Sequence, residues 1–234
     1  MKGVVLAGGL GTRLAPLTNG VNKHLLPVGD RPMIHYPLLS LRDAGVSDAL
    51  LVSSATGVAA LAASLGSGGQ LGVGLHYCVQ DRPAGIADAL HCALRLLGPE
   101  PVCVILGDNV FDAPLTGALT QHRAQGGALV MLRRVPDPER YGVALVEGDR
   151  VVQIVEKPQG PSGDLAVTGI YLYDGSALDK LQTLRPSARG ELEITDLNNA
   201  YVREGSLRHA MLGGRWVDAG TLESYHEANA LFRP

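Results

Sequence analysis

Short apolar runs alternate with longer helical patterns over the first half of the chain, and this alternation limits the fold more than any other feature. The runs are VVLA (4–7), ALLVS (49–53), LHYCV (75–79), VCVIL (102–106) and ALVML (128–132), and the helical patterns cover 33–44, 58–65, 86–97 and 115–125. Strands that alternate with amphipathic helices form βαβ units with right-handed crossovers. The pattern therefore predicts an α/β fold with a mixed, mostly parallel central sheet and helices on both faces.

Two of the helical patterns lead to separate predictions. The pattern over 86–97 repeats apolar residues at helical spacing, namely at Ile86, Leu90, Ala93, Leu94 and Leu97. The pattern over 33–44 contains Pro37, and a proline costs about 3 kcal/mol in a regular helix interior. We therefore expect a regular helix over 86–97 and a kinked or split one over 33–44.

The pattern changes after residue 135. VALVEGDRVVQIVEKP predicts a hairpin that turns around 147–150, and LAVTGIYLYD predicts a further strand. Helical patterns return near 176–184, 195–204 and 221–232. The sequence predicts one domain over 1–234, whose second half is more antiparallel and packs on the same sheet.

Composition excludes several classes of protein. The chain of 234 residues has a net charge of −3, and its 20 Lys and Arg form no basic block, which argues against a nucleic-acid partner. We find no apolar run of membrane-spanning length and no signal peptide, so we expect a cytoplasmic protein without a membrane partner. Its three cysteines form no CxxC, and its seven histidines form no HExxH motif.

The loop GGLGTR follows directly after the first predicted strand. Glycines let backbone N–H groups approach an anion closely, and Arg13 adds a side chain suited to phosphate. The loop lacks the third glycine of the dinucleotide fingerprint GxGxxG, and the chain has no GK[ST] triplet of the P-loop. An ordinary glycine turn is the alternative to a phosphate cradle, but Arg13 and Lys23 both follow closely.

Four other charged residues have a structural and a functional interpretation. Asp108 ends the buried strand VCVIL and either binds a divalent cation or caps the next turn. Asp218 follows RWV and, by itself, is a typical N-cap for the helix over 221–232. Lys157 ends a buried run before Pro158, which is unusual for a surface charge. Arg189 by itself is best interpreted as a solvated side chain.

Nine segments in the same order resemble one known family. They are KGVVLAGGLGTRLAPLT, NKHLLPVGDRPMIHYPL, QDRPAGIADAL, LGDN, ERYGVA, VEKP, AVTGIYLYD, SARGELEITDLN and WVDAGT. Together they cover nearly the whole chain and resemble the sugar nucleotidyltransferases, in particular the glucose-1-phosphate thymidylyltransferases. The resemblance implies a Rossmann-like nucleotide-diphospho-sugar transferase fold, with 1–135 as nucleotide-binding core and 136–234 as sugar-binding part.

The resemblance also implies a reaction in which dTTP or UTP and a hexose 1-phosphate, most simply glucose 1-phosphate, give a nucleotide sugar and pyrophosphate. It implies catalytic roles for Arg13, Lys23, Asp108 and Lys157, and Mg²⁺ binding by Asp108 and Asp218. The nucleotide-binding residues are expected to be Leu6, Ala7, Gly8, Gly9, Gly11, Thr12, Arg13, Gln80 and Gly85. The sugar phosphate is expected at Tyr141, Gly142, Glu156, Lys157, Val167 and Arg189. A homo-oligomer, dimer or tetramer, is also implied.

The sequence departs from the family at three places: VFDAPL after LGDN, a short GGRWVD, and Asn22 before the lysine. The departures at VFDAPL and GGRWVD affect the side of the site that is expected to bind the sugar, so the identity of the sugar is less well determined than the chemistry. The chain resembles shorter members, so we expect the C-terminal regulatory region of longer members to be missing. Three other hypotheses are open. The enzyme could use a different base or sugar, or the chain could be a non-catalytic relative that binds nucleotide sugars. A dinucleotide-binding oxidoreductase is disfavoured by the missing third glycine.

Overall fold

The structure of the chain, a computed structural model, describes residues 1–9, 11–160 and 163–233. Leu10, which belongs to the predicted phosphate loop, lies outside the described residues. Among the helices of these three segments, none is both long enough and apolar enough to cross a membrane.

Strands and helices alternate in the first half, where the five predicted strands are present together with three short strands that were not predicted. They are β1 (Lys2–Leu6), β2 (Pro27–Val28), β3 (Arg31–Pro32), α1 (His35–Asp43), β4 (Asp48–Ser53), α2 (Ala55–Leu65), β5 (Gly74–Val79), α3 (Ile86–Leu97), β6 (Val102–Leu106), β7 (Asn109–Phe111), α4 (Thr116–Gln125) and β8 (Ala128–Arg134). The helix predicted over 86–97 is present with those bounds.

The second half begins with the predicted hairpin. Its elements are β9 (Gly142–Glu147), β10 (Arg150–Glu156), β11 (Leu165–Tyr173), α5 (Ala177–Thr183), α6 (Ile194–Arg203), β12 (Leu207–Met211), β13 (Trp216–Asp218) and α7 (Leu222–Leu231). Strands β9 and β10 pair antiparallel across a turn at Gly148 and Asp149.

One sheet joins both halves. Nine strands form it, in the order β5-β4-β1-β6-β11-β8-β12-β10-β9. Of these nine, β11 and β10 run against the other seven, because their ladders to β6, β8, β12 and β9 are antiparallel. The sheet is therefore mixed and mostly parallel, and the carboxyl ends of β1, β4 and β6 meet at one edge.

Two apolar layers cover the two faces of this sheet. Alternate residues of β1 face opposite sides, so Val4 packs in the layer of α3, α5 and α6, whereas Val5 packs in the layer of α1, α2 and α4. A third, smaller apolar cluster places α7 against β2, β7 and β13. This cluster fixes the ladder between β7 and β13 beside the edge where β1 and β6 end.

The expected kink at Pro37 is wrong. Helix α1 begins at His35 rather than near residue 33, so Pro37 is its third residue. The first four N–H groups of a helix have no partner within the helix, so proline removes no hydrogen bond there. Helix α2 begins at Ala55, three residues earlier than predicted, because the Ser54 side chain accepts from the N–H of Gly57 and caps it.

Candidate active site

The glycine loop turns sharply after β1 ends at Leu6. Gly9 and Gly11 have φ angles of 89° and 66°, which other residues rarely adopt. The N–H of Leu14 donates to the carbonyl of Gly11, and the fully buried Leu14 side chain anchors the turn. The neighbouring Arg13 is exposed and lines the cleft described below.

A short helical turn at Lys23–Leu25 presents the second cation. The Asn22 side chain caps this turn by accepting from the N–H of His24. The Lys23 ammonium donates to Oδ2 of Asp108 at 2.6 Å, and the two side chains are only 10% and 15% exposed. Burial and the charge of Lys23 lower the pKa of His24 to about 3, so this histidine stays neutral and adds no charge to the pair.

Two carboxylates meet at the edge of the sheet. Asp218 ends β13 opposite Asn109 of β7, and the N–H of Ala219 donates to the carbonyl of Asp108. Burial and the charge of Asp108 raise the pKa of Asp218 to about 6. Burial also favours the neutral form of Asp108, but the charge of Lys23 and the hydrogen bond from its ammonium outweigh burial and lower the pKa of Asp108 to about 2. His24 adds to this only below about pH 3, where its ring is protonated.

Gly220 lies beside the two carboxylates and the Arg13 guanidinium. A Cβ atom at this glycine would lie 3.0 Å from Oδ1 of Asp218, 3.5 Å from the Arg13 guanidinium and 3.6 Å from Oδ2 of Asp108. Asp218 is therefore not the N-cap of the last helix. Thr221 caps α7 through a reciprocal capping box with Ser224, which leaves Asp218 to face Asp108.

Gln80 and Gly85 lie across the glycine loop from Lys23. The Gln80 side chain is 8% exposed, and its Oε1 lies 3.5 Å from the position of a Cβ on Gly8. Gly85 has a φ of 107° and packs so closely on Leu192 that a side chain would clash with the Leu192 backbone. The N–H of Leu192 donates to the carbonyl of Ala84 at 2.8 Å, so the loops around residues 84 and 192 are joined.

The hairpin brings four predicted residues of the second half together. Glu156 pairs with Gly142 in the β9–β10 ladder, and the N–H of Lys157 donates to the carbonyl of Tyr141. Lys157 is the single non-glycine residue with positive φ, 43°, among the described residues. Strained backbone of this kind clusters at functional sites, which supports a role for Lys157.

Glu156 lies between the two predicted phosphate-binding cations. Its Oε1 is 3.8 Å from the Lys157 ammonium and 3.9 Å from the Arg189 guanidinium. Its Oε2 accepts from the Thr195 hydroxyl at 2.7 Å. Arg189 also donates to both carboxylate oxygens of Glu193 at 2.9 Å, so it is paired rather than merely solvated.

All these groups line one continuous cleft. A cavity of about 290 Å³ is lined by eight of the predicted site residues, namely Leu6, Gly8, Gly9, Arg13, Lys23, Gln80, Gly85 and Asp108. A cavity of about 440 Å³ holds Arg13, Asp108, Tyr141, Gly142, Glu156, Lys157, Val167, Arg189 and Asp218. Because Arg13 and Asp108 line both cavities, the two adjoin at these side chains. The remaining predicted residues, Ala7, Gly11 and Thr12, lie in the glycine loop itself.

A third cavity of about 450 Å³ is lined by Arg31, Arg42 and Arg215 among others and contains none of the predicted residues. Size alone therefore does not identify the site. The glycines, cations and carboxylates that converge in the cleft make it the candidate active site.

Sequence reasoning missed three side chains that hold the site in place. Glu193 accepts hydrogen bonds from the Arg189 guanidinium, and the Thr195 hydroxyl donates to Glu156. Asp88 accepts a hydrogen bond from the Gln80 amide. Arg189 and Glu193 have the four-residue spacing of helical ion pairs, but both lie before the first residue of α6, so that rule did not predict their contact. The other two contacts cross between separate elements and leave no spacing in the sequence.

Comparisons with known proteins find relatives that match nearly the whole chain. The family model described as nucleotidyl transferase matches residues 2–233. A glucose-1-phosphate thymidylyltransferase of Neisseria meningitidis is 48% identical over 97% of this chain and 81% of its own length. A glucose-1-phosphate thymidylyltransferase of Mycolicibacterium smegmatis is 40% identical over 100% of this chain and 82% of its own length.

Solved structures show the same likeness. A candidate glucose-1-phosphate thymidylyltransferase of Bacillus anthracis, crystallised with sucrose, is 44% identical and superposes with a TM-score of 0.94 over 100% of this chain and 95% of its own. A UDP-glucose pyrophosphorylase complexed with UDP-glucose is 25% identical, with a TM-score of 0.86 over 98% of this chain and 97% of its own.

Proposed function

The chain belongs to the nucleotidyl transferase family, and from this premise we propose that it makes a nucleotide sugar and pyrophosphate from dTTP or UTP and a hexose 1-phosphate. Glucose 1-phosphate is the sugar substrate that the relatives' names favour. One observation carries the proposal: a single cleft joins a glycine loop with two cations to a second pair of cations, with two carboxylates between them.

The triphosphate is assigned to the smaller end of the cleft. The backbone of Leu6, Ala7, Gly8, Gly9, Gly11 and Thr12 forms its cradle, and Arg13 and Lys23 neutralise the leaving pyrophosphate. Gln80 and Gly85 contact the base. A side-chain amide beside a backbone group suits a pyrimidine imide, which offers one donor and two acceptors.

The sugar phosphate is assigned to the larger end. Lys157 and Arg189 bind its phosphate, and Tyr141, Gly142, Glu156 and Val167 surround the sugar. Glu156 faces this space from the end of β10, where its carboxylate can accept hydrogen bonds from sugar hydroxyls. In this proposal 1–135 is the nucleotide-binding core and 136–234 the sugar-binding part of one domain.

Mg²⁺ fits the carboxylate pair. Burial and the neighbouring charge of Asp108 both raise the pKa of Asp218, and a divalent cation would offset both effects. Two carboxylates, completed by phosphate oxygens and water, are a common ligand set for this ion. When bound, Mg²⁺ would supply charge neutralisation at the α-phosphate. We assign its binding to Asp108 and Asp218.

The chemistry needs positioning more than acid–base catalysis. The phosphate oxygen of the sugar substrate attacks the α-phosphorus in line and pyrophosphate leaves. The attacking oxygen is already anionic near neutral pH, so no strong general base is required. Catalysis then consists of aligning two anions and neutralising their charge, for which Arg13, Lys23, Lys157 and Arg189 are placed at the two ends.

Two alternatives are open to experiment. The same chemistry could use another sugar or triphosphate, because VFDAPL and GGRWVD depart from the family pattern. A non-catalytic relative that binds nucleotide sugars is disfavoured, because Arg13, Lys23, Asp108 and Asp218 are all present and face the cleft.

A panel assay tests the proposal. Five triphosphates are combined with several hexose 1-phosphates, with Mg²⁺, and pyrophosphate release is followed. We expect turnover with dTTP or UTP and glucose 1-phosphate, and turnover lost when Mg²⁺ is chelated. Absence of pyrophosphate release from every pair would overturn the proposal and favour the binding-only relative.

Two wider assignments belong to the same proposal. We assign the protein to the cytoplasm and to a homo-oligomer, dimer or tetramer, on the resemblance to the family. Light scattering of the purified protein, with the molar mass compared with the 24.5 kDa of one chain, tests the oligomer. A monomer across the working concentration range would contradict it.

A further inference from the structure

Asp88 holds the side chain of Gln80 in one orientation. The Gln80 amide nitrogen donates to Oδ2 of Asp88 at 2.7 Å and to the carbonyl of Gly85 at 3.2 Å. An ionised carboxylate and a carbonyl are both acceptors only, so neither can pair with Oε1 of the amide. Both N–H bonds of Gln80 are therefore occupied by acceptors within the protein.

The orientation leaves the Gln80 oxygen facing the ligand space. Oε1 lies beside Gly8, and both residues line the nucleotide-side cavity. Among the hydrogen bonds of the described residues, Oε1 receives none, whereas the nitrogen donates two. Gln80 thus offers the base an acceptor and not a donor.

Asp88 is well placed to keep this arrangement. It is the third residue of α3, where the positive end of the helix dipole stabilises a carboxylate. It is half-buried, and the Gln80 side chain it contacts is 8% exposed, so water competes little for the hydrogen bond. Rotating the amide would place the Gln80 oxygen against two other acceptors, which is unfavourable.

We propose, on the basis of the function proposed above, that Asp88 is a positioning residue that makes the pocket select bases with a ring N–H donor. Uracil and thymine carry a donor at N3, which pairs with Oε1 of Gln80. Cytosine carries an acceptor at N3, so two hydrogen-bond acceptors, N3 and Oε1 of Gln80, would face each other. The Asp88–Gln80 pair therefore rejects CTP through an unpaired polar contact, although CTP and UTP have the same size.

The test compares kcat/KM for UTP and CTP in the wild type and in Asp88→Ala. Removal of Asp88 frees the amide to rotate, so the preference for UTP over CTP should fall by about tenfold or more, as expected for a lost charge-assisted hydrogen bond. The KM for the sugar 1-phosphate should change less than about threefold. An unchanged preference for UTP over CTP would overturn the proposal.

Asp179→Ala is the matched control. Asp179 is likewise the third residue of its helix, α5, but it is exposed and lies outside the cleft. This variant loses the same helix-dipole contact and should keep the wild-type preference. A comparable loss of preference in Asp179→Ala would show that the effect comes from general loosening and would contradict the proposal.

A second pair of variants tests whether Gln80 and Asp88 act through their direct hydrogen bond. Gln80→Glu sets two carboxylates against each other, and UTP binding, measured by calorimetry without turnover, should weaken. Adding Asp88→Asn restores a donor opposite the introduced carboxylate and should recover binding by about tenfold. A double variant no better than Gln80→Glu alone would contradict the pairing. Wild-type turnover with UTP and glucose 1-phosphate separates these outcomes from failure of the proposed function.

Discussion

The two ends of the cleft hold their cations in different ways. At the nucleotide end, Lys23 is 10% exposed and fixed on Asp108 at 2.6 Å. At the sugar end, the side chains of Lys157 and Arg189 are 47% and 50% exposed, and each lies almost 4 Å from the same carboxylate, Glu156. Lys23 is thus fixed before the substrate arrives, whereas at the sugar end Lys157 has, among the described residues, only the long contact to Glu156, and Arg189 is held by Glu193 instead.

This difference follows from the elements that carry the residues. The nucleotide end sits on the carboxyl ends of parallel strands, among buried hydrogen bonds such as that from the Ser53 hydroxyl to the carbonyl of Ala7. The sugar end sits on a hairpin and on the segment before α6. We infer that the nucleotide end sets the chemistry and that the sugar end sets affinity for the second substrate.

The largest expected effect tests the nucleotide end. Asp108→Asn removes a negative charge from the proposed Mg²⁺ site and from Lys23, and it should lower kcat by roughly 100- to 1,000-fold. Steady-state pyrophosphate release measures the change, and circular dichroism checks the fold.

Asp149→Asn is the control, because Asp149 is an exposed partner of Arg208 at the hairpin tip. It should stay within about twofold of wild type, as surface ion pairs contribute little. Near-normal turnover in Asp108→Asn would remove the metal assignment and, with it, the contrast between the two ends.

The next effect tests the sugar end. Lys157→Ala should raise the KM for the sugar 1-phosphate by roughly 10- to 100-fold, because a charge-assisted contact to phosphate is lost. The KM for the triphosphate should change less than about threefold. Lys2→Ala, which removes an exposed lysine paired with Asp48, is the control and should alter neither constant. Equal increases in both constants would show that the ends do not act separately.

The pKa of Asp218, raised to about 6, predicts a pH dependence of metal binding. Above that pH the carboxylate is ionised and can bind a cation, and below it the proton competes. We expect Mn²⁺ affinity, measured by electron paramagnetic resonance without nucleotide, to fall about tenfold for one pH unit below 6. Asp218→Asn should bind weakly at every pH. Constant wild-type affinity down to pH 5 would contradict the assignment.

The raised pKa of Asp218 also has a consequence for the metal-free fold. Because the folded protein holds the Asp218 proton more tightly than the unfolded chain, its stabilising contribution is complete below the ordinary pKa of 3.8 and is lost as the pH rises through about 6. Asp108 acts in the opposite sense, since its pKa is lowered to about 2 and its contribution is lost as the pH falls from 3.8 towards 2.

The last and smallest expected effect is on the free energy of unfolding, and it tests the packing beneath the glycine loop. A Cβ on Gly57 would clash with the Ser53 hydroxyl that supports Ala7, so Gly57→Ala should destabilise the fold by about 1–3 kcal/mol. Gly117→Ala, in open space on α4, should instead stabilise it by up to about 1 kcal/mol. Denaturant unfolding distinguishes the two. A neutral Gly57→Ala would show that this end of the cleft is less tightly packed than described.

Much of the fold could be predicted because the strands of the first half are continuous apolar runs. Burial on both faces of a parallel sheet produces such runs, and the helices between them show their apolar face at helical spacing. Helix starts were less accurate, since Pro37 is acceptable in a first turn and Ser54 caps a helix earlier than its apolar pattern begins.

Many individual residues of the candidate site could be predicted from the sequence, but the contacts between distant residues could not. The glycine loop and Asp108 follow strands, so their shared edge could be expected from topology. Asp218 looked like a helix cap, and only the β7–β13 ladder, which joins residues more than a hundred positions apart, places it beside Asp108. The contact between Gln80 and Asp88 depends on how α3 packs beside β5, which no local spacing records.

In the proposed reaction, two anionic substrates meet at the Asp108–Asp218 pair. An anomalous difference map from crystals soaked with dTTP and Mn²⁺ tests it most directly. We predict a manganese peak at coordination distance from both carboxylates, with the triphosphate density against the loop at residues 8–13. A manganese peak elsewhere, or triphosphate density in the separate cavity beside Arg31, Arg42 and Arg215, would contradict the claim.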